Sequence, residues 1–285
     1  MERDDRFNRN ELFFGAGGQA KLRETRCTVV GVGGLGTHVI QQIALLGVGA
    51  IDIVEPEELS KDNGNRYIGA WHHDTVPGTP KTVIAERLIS LIDPTIKVSA
   101  VPKDCISHEG FQAIRRADVV FGCVDNEGAR LVLTELCSAY AKTYVDLASD
   151  IDPKAEPITY GGRVHFATGG ESCLICMNVL DRREAGRDLE NEAIRLNRDS
   201  LYGVRKGALG QAGPSVVSIN GVIASLAVTE FMVHVTGIRP ARRLLTYYAH
   251  NGKVTVSGDQ PQDNCYYCKG LWGQGEAAGV EHYLS

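Results

Sequence analysis

From residue 26 onward the apolar positions of the chain alternate between short continuous runs and a helical spacing. Residues 26–32 (RCTVVGV) form a β-branched run, glycines follow, and from 37 to 46 the apolar positions recur every three or four residues. That is strand, tight turn, helix. Residues 50–55 (AIDIVE) read as a second buried strand, 80–92 as an amphipathic helix, 97–101 and 118–124 (DVVFGCV) as strands, 126–140 as a helix and 143–147 as a strand. Such alternation predicts the α/β class with a doubly wound, mostly parallel, Rossmann-like sheet.

The pattern changes after residue 150. Residues 158–166 predict an antiparallel strand, 181–205 are dense in charge with weak apolar periodicity and read as a mobile crossover, and 213–237 predict a long apolar helix rich in small residues. Strands at 242–248 and 253–257 complete a C-terminal antiparallel extension. The expected organisation is one unit over 1–285: an N-terminal helical arm over 1–25, a nucleotide-binding half over 26–150, and a metal-bearing half over 151–285 with its crossover at about 177–212. A net charge of -5 with no run of Lys or Arg argues against nucleic acid as a partner. The polar N-terminus lacks the apolar core of a signal peptide, and Ser225, Thr229, Glu230 and His234 interrupt the apolar helix. No membrane association is expected, and a cytoplasmic location is. Cys27, Cys105, Cys123 and Cys137 lie in or beside apolar stretches without paired spacing, which fits packed thiols in a reducing compartment.

Four other cysteines form two CxxC pairs, Cys173/Cys176 and Cys265/Cys268. Four thiolates close a tetrahedral Zn²⁺ site and leave no open coordination position, so the pairs predict a structural zinc clamp. Gly31, Gly33, Gly34 and Gly36 satisfy G-x-G-x-x-G between strand and helix, where absent Cβ atoms let the backbone approach phosphates. Glu55 ends the next strand, where a carboxylate holds ribose hydroxyls in dinucleotide sites. Arg66 and Lys81 add two cations beside the glycines. That pair suits a triphosphate better than a nicotinamide dinucleotide and favours ATP. Cys123-Val124-Asp125-Asn126 ends a strand at the ligand side of such a sheet, making Asp125 a candidate Mg²⁺ ligand and also a candidate N-cap of the following helix.

Taken in order, GVGGLG, DNGNRY, GTPK, CVDN, the two CxxC pairs and the small-residue helix GVIASLAVTEF resemble the ThiF/MoeB/HesA adenylating enzymes, relatives of the ubiquitin-activating enzymes. The resemblance implies an adenylyltransferase that binds Mg-ATP and adenylates the C-terminal carboxylate of a small ubiquitin-like or sulfur-carrier protein ending in glycine, releasing pyrophosphate. It implies that Glu55 holds the ribose, that Glu57, Asn63, Arg66 and Lys81 surround the phosphates, and that Asp125, followed by Asn126, carries the Mg²⁺. Arg6-Phe7-Asn8-Arg9-Asn10 is similar to the family's R-Y-x-R-Q, which implies a homodimer with Arg9 reaching the other copy's ATP. Tyr67 and Asn10 stand where the family has Gln. No cysteine lies between Cys176 and Cys265, so a thioester in the crossover is excluded. The alternatives are an NAD-dependent oxidoreductase, an enzyme that adenylates a short peptide, and a non-catalytic zinc-stabilised scaffold.

Overall fold

The computed structural model describes residues 5–190 and 213–284. Its eight-stranded sheet has the order β3-β2-β1-β4-β5-β6-β7-β8. β1 (Arg26–Val30), β2 (Ala50–Val54), β3 (Lys97–Val101), β4 (Val119–Gly122) and β5 (Thr143–Asp152) pair in parallel. β6 (Thr159–Ala167), β7 (Leu244–Tyr248) and β8 (Lys253–Val256) continue the sheet antiparallel. Helices cover both faces of the parallel half, which is why β2 and β4 are buried along their whole lengths and read as unbroken apolar runs.

On one face α1 (Asn8–Glu24), α2 (Gly34–Leu46) and α3 (Lys81–Ile92) pack around Ile40, Ile43, Ile53, Ile84 and Phe121. On the other, α4 (His108–Arg116), α5 (Glu127–Ala139) and α6 (Arg182–Asp188) bury Phe111, Ile114, Val120, Leu133 and Ala185. A further helix on the first face, α7 (Val217–Thr236), crosses β5 and β6. By length and composition alone α7 would pass for a membrane span. Here its apolar side closes the core through Ile223, Ala227 and Phe231, and its buried Glu230 takes two 2.7 Å hydrogen bonds from Arg239.

Three elements depart from the sequence expectation. α4 has no counterpart in it: nine residues offer too few turns for a period, although Ser107 caps the helix by accepting from the Gly110 N–H at 3.1 Å. β5 runs on to Asp152 because it pairs with β6 residue by residue, from Tyr144 opposite Ala167 to Asp152 opposite Thr159. The start of the charge-dense segment is a docked helix, α6, capped by Asp181 Oδ1 on the Arg183 N–H at 2.8 Å and the Glu184 N–H at 3.1 Å. The rest of the expected crossover, 191–212, lies outside the described residues.

Phe231 is fully buried and meets Phe121 edge to face with centroids 5.4 Å apart. Phe231→Ala should cost about 3–5 kcal/mol of stability in urea unfolding. A loss below about 1 kcal/mol would mean that α7 is not packed onto the sheet as described.

Candidate functional site

Gly31 lies just beyond the end of β1 with φ of 84°, a conformation that side chains avoid. A Cβ on Gly31 would stand 2.7 Å from the Cys123 carbonyl oxygen, and one on Gly36 2.1 Å from the carbonyl oxygen of Gly31. The loop therefore closes against the end of β4 at the point where the strand order reverses, which is where such sheets bind ligands. No side chain caps α2 at its N-cap Gly33, so its first-turn N–H groups remain available to an anion.

Glu55 fixes this loop from β2. Its two carboxylate oxygens accept from the Val32 N–H at 2.6 Å and the Glu57 N–H at 3.0 Å. Burial pushes its carboxyl group above the usual range, and the Lys81 charge opposes that shift. Lys81 is itself buried and its ammonium pairs with the exposed Glu57 carboxylate. Tyr67 explains its own departure from the family's Gln: its hydroxyl donates to the Lys81 carbonyl at 2.9 Å and so fixes the first turn of α3. Arg66 runs its Cγ and Cδ to 3.4 Å from where a Gly34 Cβ would lie, while its guanidinium is held by Asp62 at 3.4 Å and by Asn65 at 3.2 Å. Asn63 serves a local turn, its Oδ1 accepting from the Ser60 N–H at 3.1 Å and the Ser60 hydroxyl at 2.8 Å.

Asp125 and Asn126 are exposed just beyond β4. The cap of α5 is Asn126, which accepts from the Ala129 N–H at 2.7 Å, and not Asp125 as the sequence allowed. A long 3.5 Å contact from Asn126 Nδ2 is the hydrogen bond described for Asp125, so its carboxylate can take a cation. One carboxylate with phosphate oxygens and water is the ordinary donor set of Mg²⁺.

Gly31 to Gly36, Glu55, Glu57, Arg66, Lys81 and Asp125 thus gather at the carboxyl ends of β1, β2 and β4. Arg9 does not join them. Phe7 packs under Gly47 at the far end of α2, Asn10 bonds Gln19 at 3.4 Å, and Gln19 donates to the Leu46 carbonyl at 2.9 Å. Thirteen residues of α2, about 20 Å, separate that end from the glycine loop.

Several buried polar groups near the site have no counterpart among the sequence candidates. Asn220 of α7 is buried against the Gly34 position and its Oδ1 has no partner among the described residues. Asp146 of β5 is fully buried and bonded by Arg130 Nε at 3.1 Å and the Tyr144 hydroxyl at 3.2 Å. His165, opposite Asp146 on β6, has no hydrogen-bond partner for either ring nitrogen among the described residues, and burial lowers it to about 4. The available signal was a polar residue in the middle of an apolar strand or helix.

The four cysteines of the CxxC pairs are buried with their sulfurs within 4.8 Å of one another. Cys173 lies 3.6 Å from Cys265 and Cys176 3.7 Å from Cys268, near the ~3.8 Å sulfur separation of a tetrahedral site with 2.3 Å zinc–sulfur bonds. The donor set fits zinc. Hydrogen bonding from Cys173 draws the Cys176 thiol below its usual range, while burial pushes Cys268 above it.

The ThiF family pattern matches residues 7–268, and the chain belongs to that family. Among curated relatives, the sulfur carrier protein ThiS adenylyltransferase of Bacillus subtilis is 30% identical over 132 residues, 46% of this chain and 39% of that protein. Protein HesA of Leptolyngbya boryana is 30% identical over 182 residues, 61% of this chain and 60% of its own length. The chain therefore spans less than two thirds of either. The crystal structure of E. coli MccB with ATP superposes with a TM-score of 0.67 at 18% identity, over 93% of this chain and 75% of that one. MccB has also been solved with N-formylated MccA.

Cys265→Ser should release the metal and lower the thermal midpoint, read by elemental analysis and calorimetry; a metal-free wild type of equal stability would remove the clamp. His165 refuses a proton that the unfolded chain accepts below its ordinary value of 6.5. Its contribution is intact above that pH and is lost as pH falls from 6.5 toward about 4. His165→Gln should flatten that interval by up to about 1.4 kcal/mol per pH unit in urea unfolding. Equal slopes would place the proton elsewhere.

Proposed function

We propose that this chain is an adenylyltransferase that activates the C-terminal carboxylate of a small ubiquitin-like or sulfur-carrier protein with ATP and Mg²⁺. The observation that carries the reading is the convergence of the uncapped α2 N-terminus, Arg66, the buried Lys81 and the open Asp125 carboxylate at the carboxyl ends of β1, β2 and β4. A nicotinamide dinucleotide gives Arg66, Lys81 and Asp125 no role, and a scaffold gives no reason to bury Lys81.

The glycine loop and the α2 amides would take phosphate oxygens, and Glu55, already bonded to the loop, would accept from the ribose hydroxyls. Glu57 holds Lys81 until a phosphate replaces it. The substrate carboxylate, already an anion, attacks the α-phosphorus without a general base. The bond to the β-phosphate breaks and pyrophosphate leaves with the negative charge. Arg66 and Lys81 stabilise that charge as it develops. Asp125 would hold Mg²⁺, which supplies further neutralisation of the phosphates. Arg9 lies at the far end of α2 from its own chain's glycine loop, which agrees with the role the resemblance implies for it, entering the site of a second copy in a homodimer.

The acyl-adenylate would be the end product. The crossover has no cysteine, and burial raises the thiols of Cys27, Cys105, Cys123 and Cys137, Cys105 to about 11, which suits packing and not nucleophilic attack. A second reading, adenylation of a short peptide, draws on the likeness of fold to MccB, solved with N-formylated MccA. A cytoplasmic location belongs to the same reading.

Calorimetric titration with ATP and with NAD, each with and without Mg²⁺, tests it first. Magnesium-dependent ATP binding without NAD binding is expected, and the reverse would establish the oxidoreductase. Asp125→Ala should remove the magnesium effect and abolish ATP–pyrophosphate exchange at an unchanged melting point. Arg9→Ala should lose exchange and regain it when mixed with Asp125→Ala chains; full activity of the single variant removes Arg9 from the site.

A further inference from the structure

Asp188, at the last turn of α6, reaches across to the first turn of α5. One of its oxygens, Oδ2, accepts from the Glu127 N–H at 3.0 Å and the Gly128 N–H at 3.1 Å. Asn126 takes the next amide, that of Ala129, so three of the orphan donors of α5 are satisfied by side chains from two different segments. The approach depends on Gly128: a Cβ there would stand 2.8 Å from Asp188 Cβ and 3.3 Å from Leu189 Cγ. The other end of α6 is tied to the same place. The Asp181 N–H donates to Glu127 Oε2 at 3.0 Å, and Glu127 Oε1 accepts from Arg130 Nη1 at 2.6 Å. Arg130 then donates from Nη2 to the Val124 carbonyl at 2.8 Å and from Nε to Asp146 at 3.1 Å. Both ends of α6 are therefore fastened to Glu127 and Gly128, and Arg130 ties Glu127 to Val124 on the other side of Asp125.

We propose that Asp188 and Arg130 are positioning residues: they clamp α6 onto the start of α5 and thereby set the loop that presents Asp125. α6 and the metal-binding carboxylate are then coupled through the first turn of α5, because a displacement of α6 uncaps that turn two residues from Asp125. The clamp uses a charged acceptor at a helix N-terminus, which the helix dipole favours, and an arginine whose other donors are already committed to the sheet. The link to Asp125 rests on the adenylation reading; the clamp itself does not.

The test uses the whole protein. In hydrogen exchange resolved to residues 124–130, Asp188→Ala should speed exchange of the Glu127 and Gly128 amides about fivefold, the order set by loss of one helix cap. Asp188→Asn keeps an acceptor oxygen and should stay within about twofold of wild type. Gly128→Ala, which drives a methyl group into Asp188, should reproduce the effect of Asp188→Ala. In ATP titrations the factor by which Mg²⁺ tightens binding should fall in Asp188→Ala and recover in Asp188→Asn, with magnesium-free ATP affinity unchanged. Unaltered exchange of the two amides overturns the clamp. Faster exchange with an unaltered magnesium factor overturns the positioning role, as does an equal loss of ATP affinity with and without the ion. A wild type that binds no ATP overturns the adenylation reading and the magnesium half of this proposal, while the exchange result judges the clamp without any nucleotide.

Discussion

A fully buried carboxylate is costly unless it is paired, and removing one partner of a buried ion pair typically costs about 3–5 kcal/mol. Asp146 imposes that constraint at the junction of the two halves of the sheet. On one side it lies in register with Gly122 of the parallel β4, on the other with His165 of the antiparallel β6. Arg130 answers it, with the Tyr144 hydroxyl in support and Arg163 at 3.6 Å on the second oxygen. Because the same guanidinium also holds the Val124 carbonyl and the Glu127 carboxylate, compensating the buried charge fixes the turn that carries Asp125 and the first turn of α5. The turn that carries Asp125 is thus positioned by a requirement of the core.

The cations of the site obey the same rule under weaker constraint. Lys81 is buried, yet its partner Glu57 is 69% exposed, and Arg66 is paired with the exposed Asp62. Exposed partners contribute little, roughly 0–1 kcal/mol each. A polyphosphate brings several charges at once and can displace them at small cost, whereas Glu55, buried and bonded to two amides, stays in place. This end of the sheet therefore combines a fixed carboxylate, Glu55, with exposed carboxylates, Glu57 and Asp62, on its two cations.

Much of this was legible along the chain and some was not, for a definite physical reason. The glycine loop, the strands at 26–32, 50–55 and 97–101 and the α3 helix announce themselves because period and turn chemistry are local properties. The structure differs from the local reading where the deciding contact is remote. Asp188 looks like one more charge in a charge-dense stretch, and only its contact with residues 127 and 128 gives it meaning. Arg130 and Asp146 are apolar-face anomalies in sequence and one ion pair in space. Tyr67 looks like a lost family residue until its hydroxyl is seen on the Lys81 carbonyl, and the choice between Asp125 and Asn126 as helix cap turned on a single residue of register.

The cysteine cluster acts on one half of this arrangement and not the other. Leu174, between the first two thiols, and Leu180, just beyond them, belong to the core of α4, α5 and α6 with Leu133 and Ala185. The second pair closes against the same loop, where a Cβ on Gly170 would meet the Cys268 carbonyl at 2.6 Å. Glu55 and Lys81 are held by other contacts, the Val32 amide on the Glu55 carboxylate and the Tyr67 hydroxyl on the Lys81 carbonyl. A metal at the four sulfurs would therefore stiffen the face on which α6 docks. The glycine loop, closed against Cys123 and Val124, and α6, bonded to Glu127 and Gly128, then meet at the two ends of one turn.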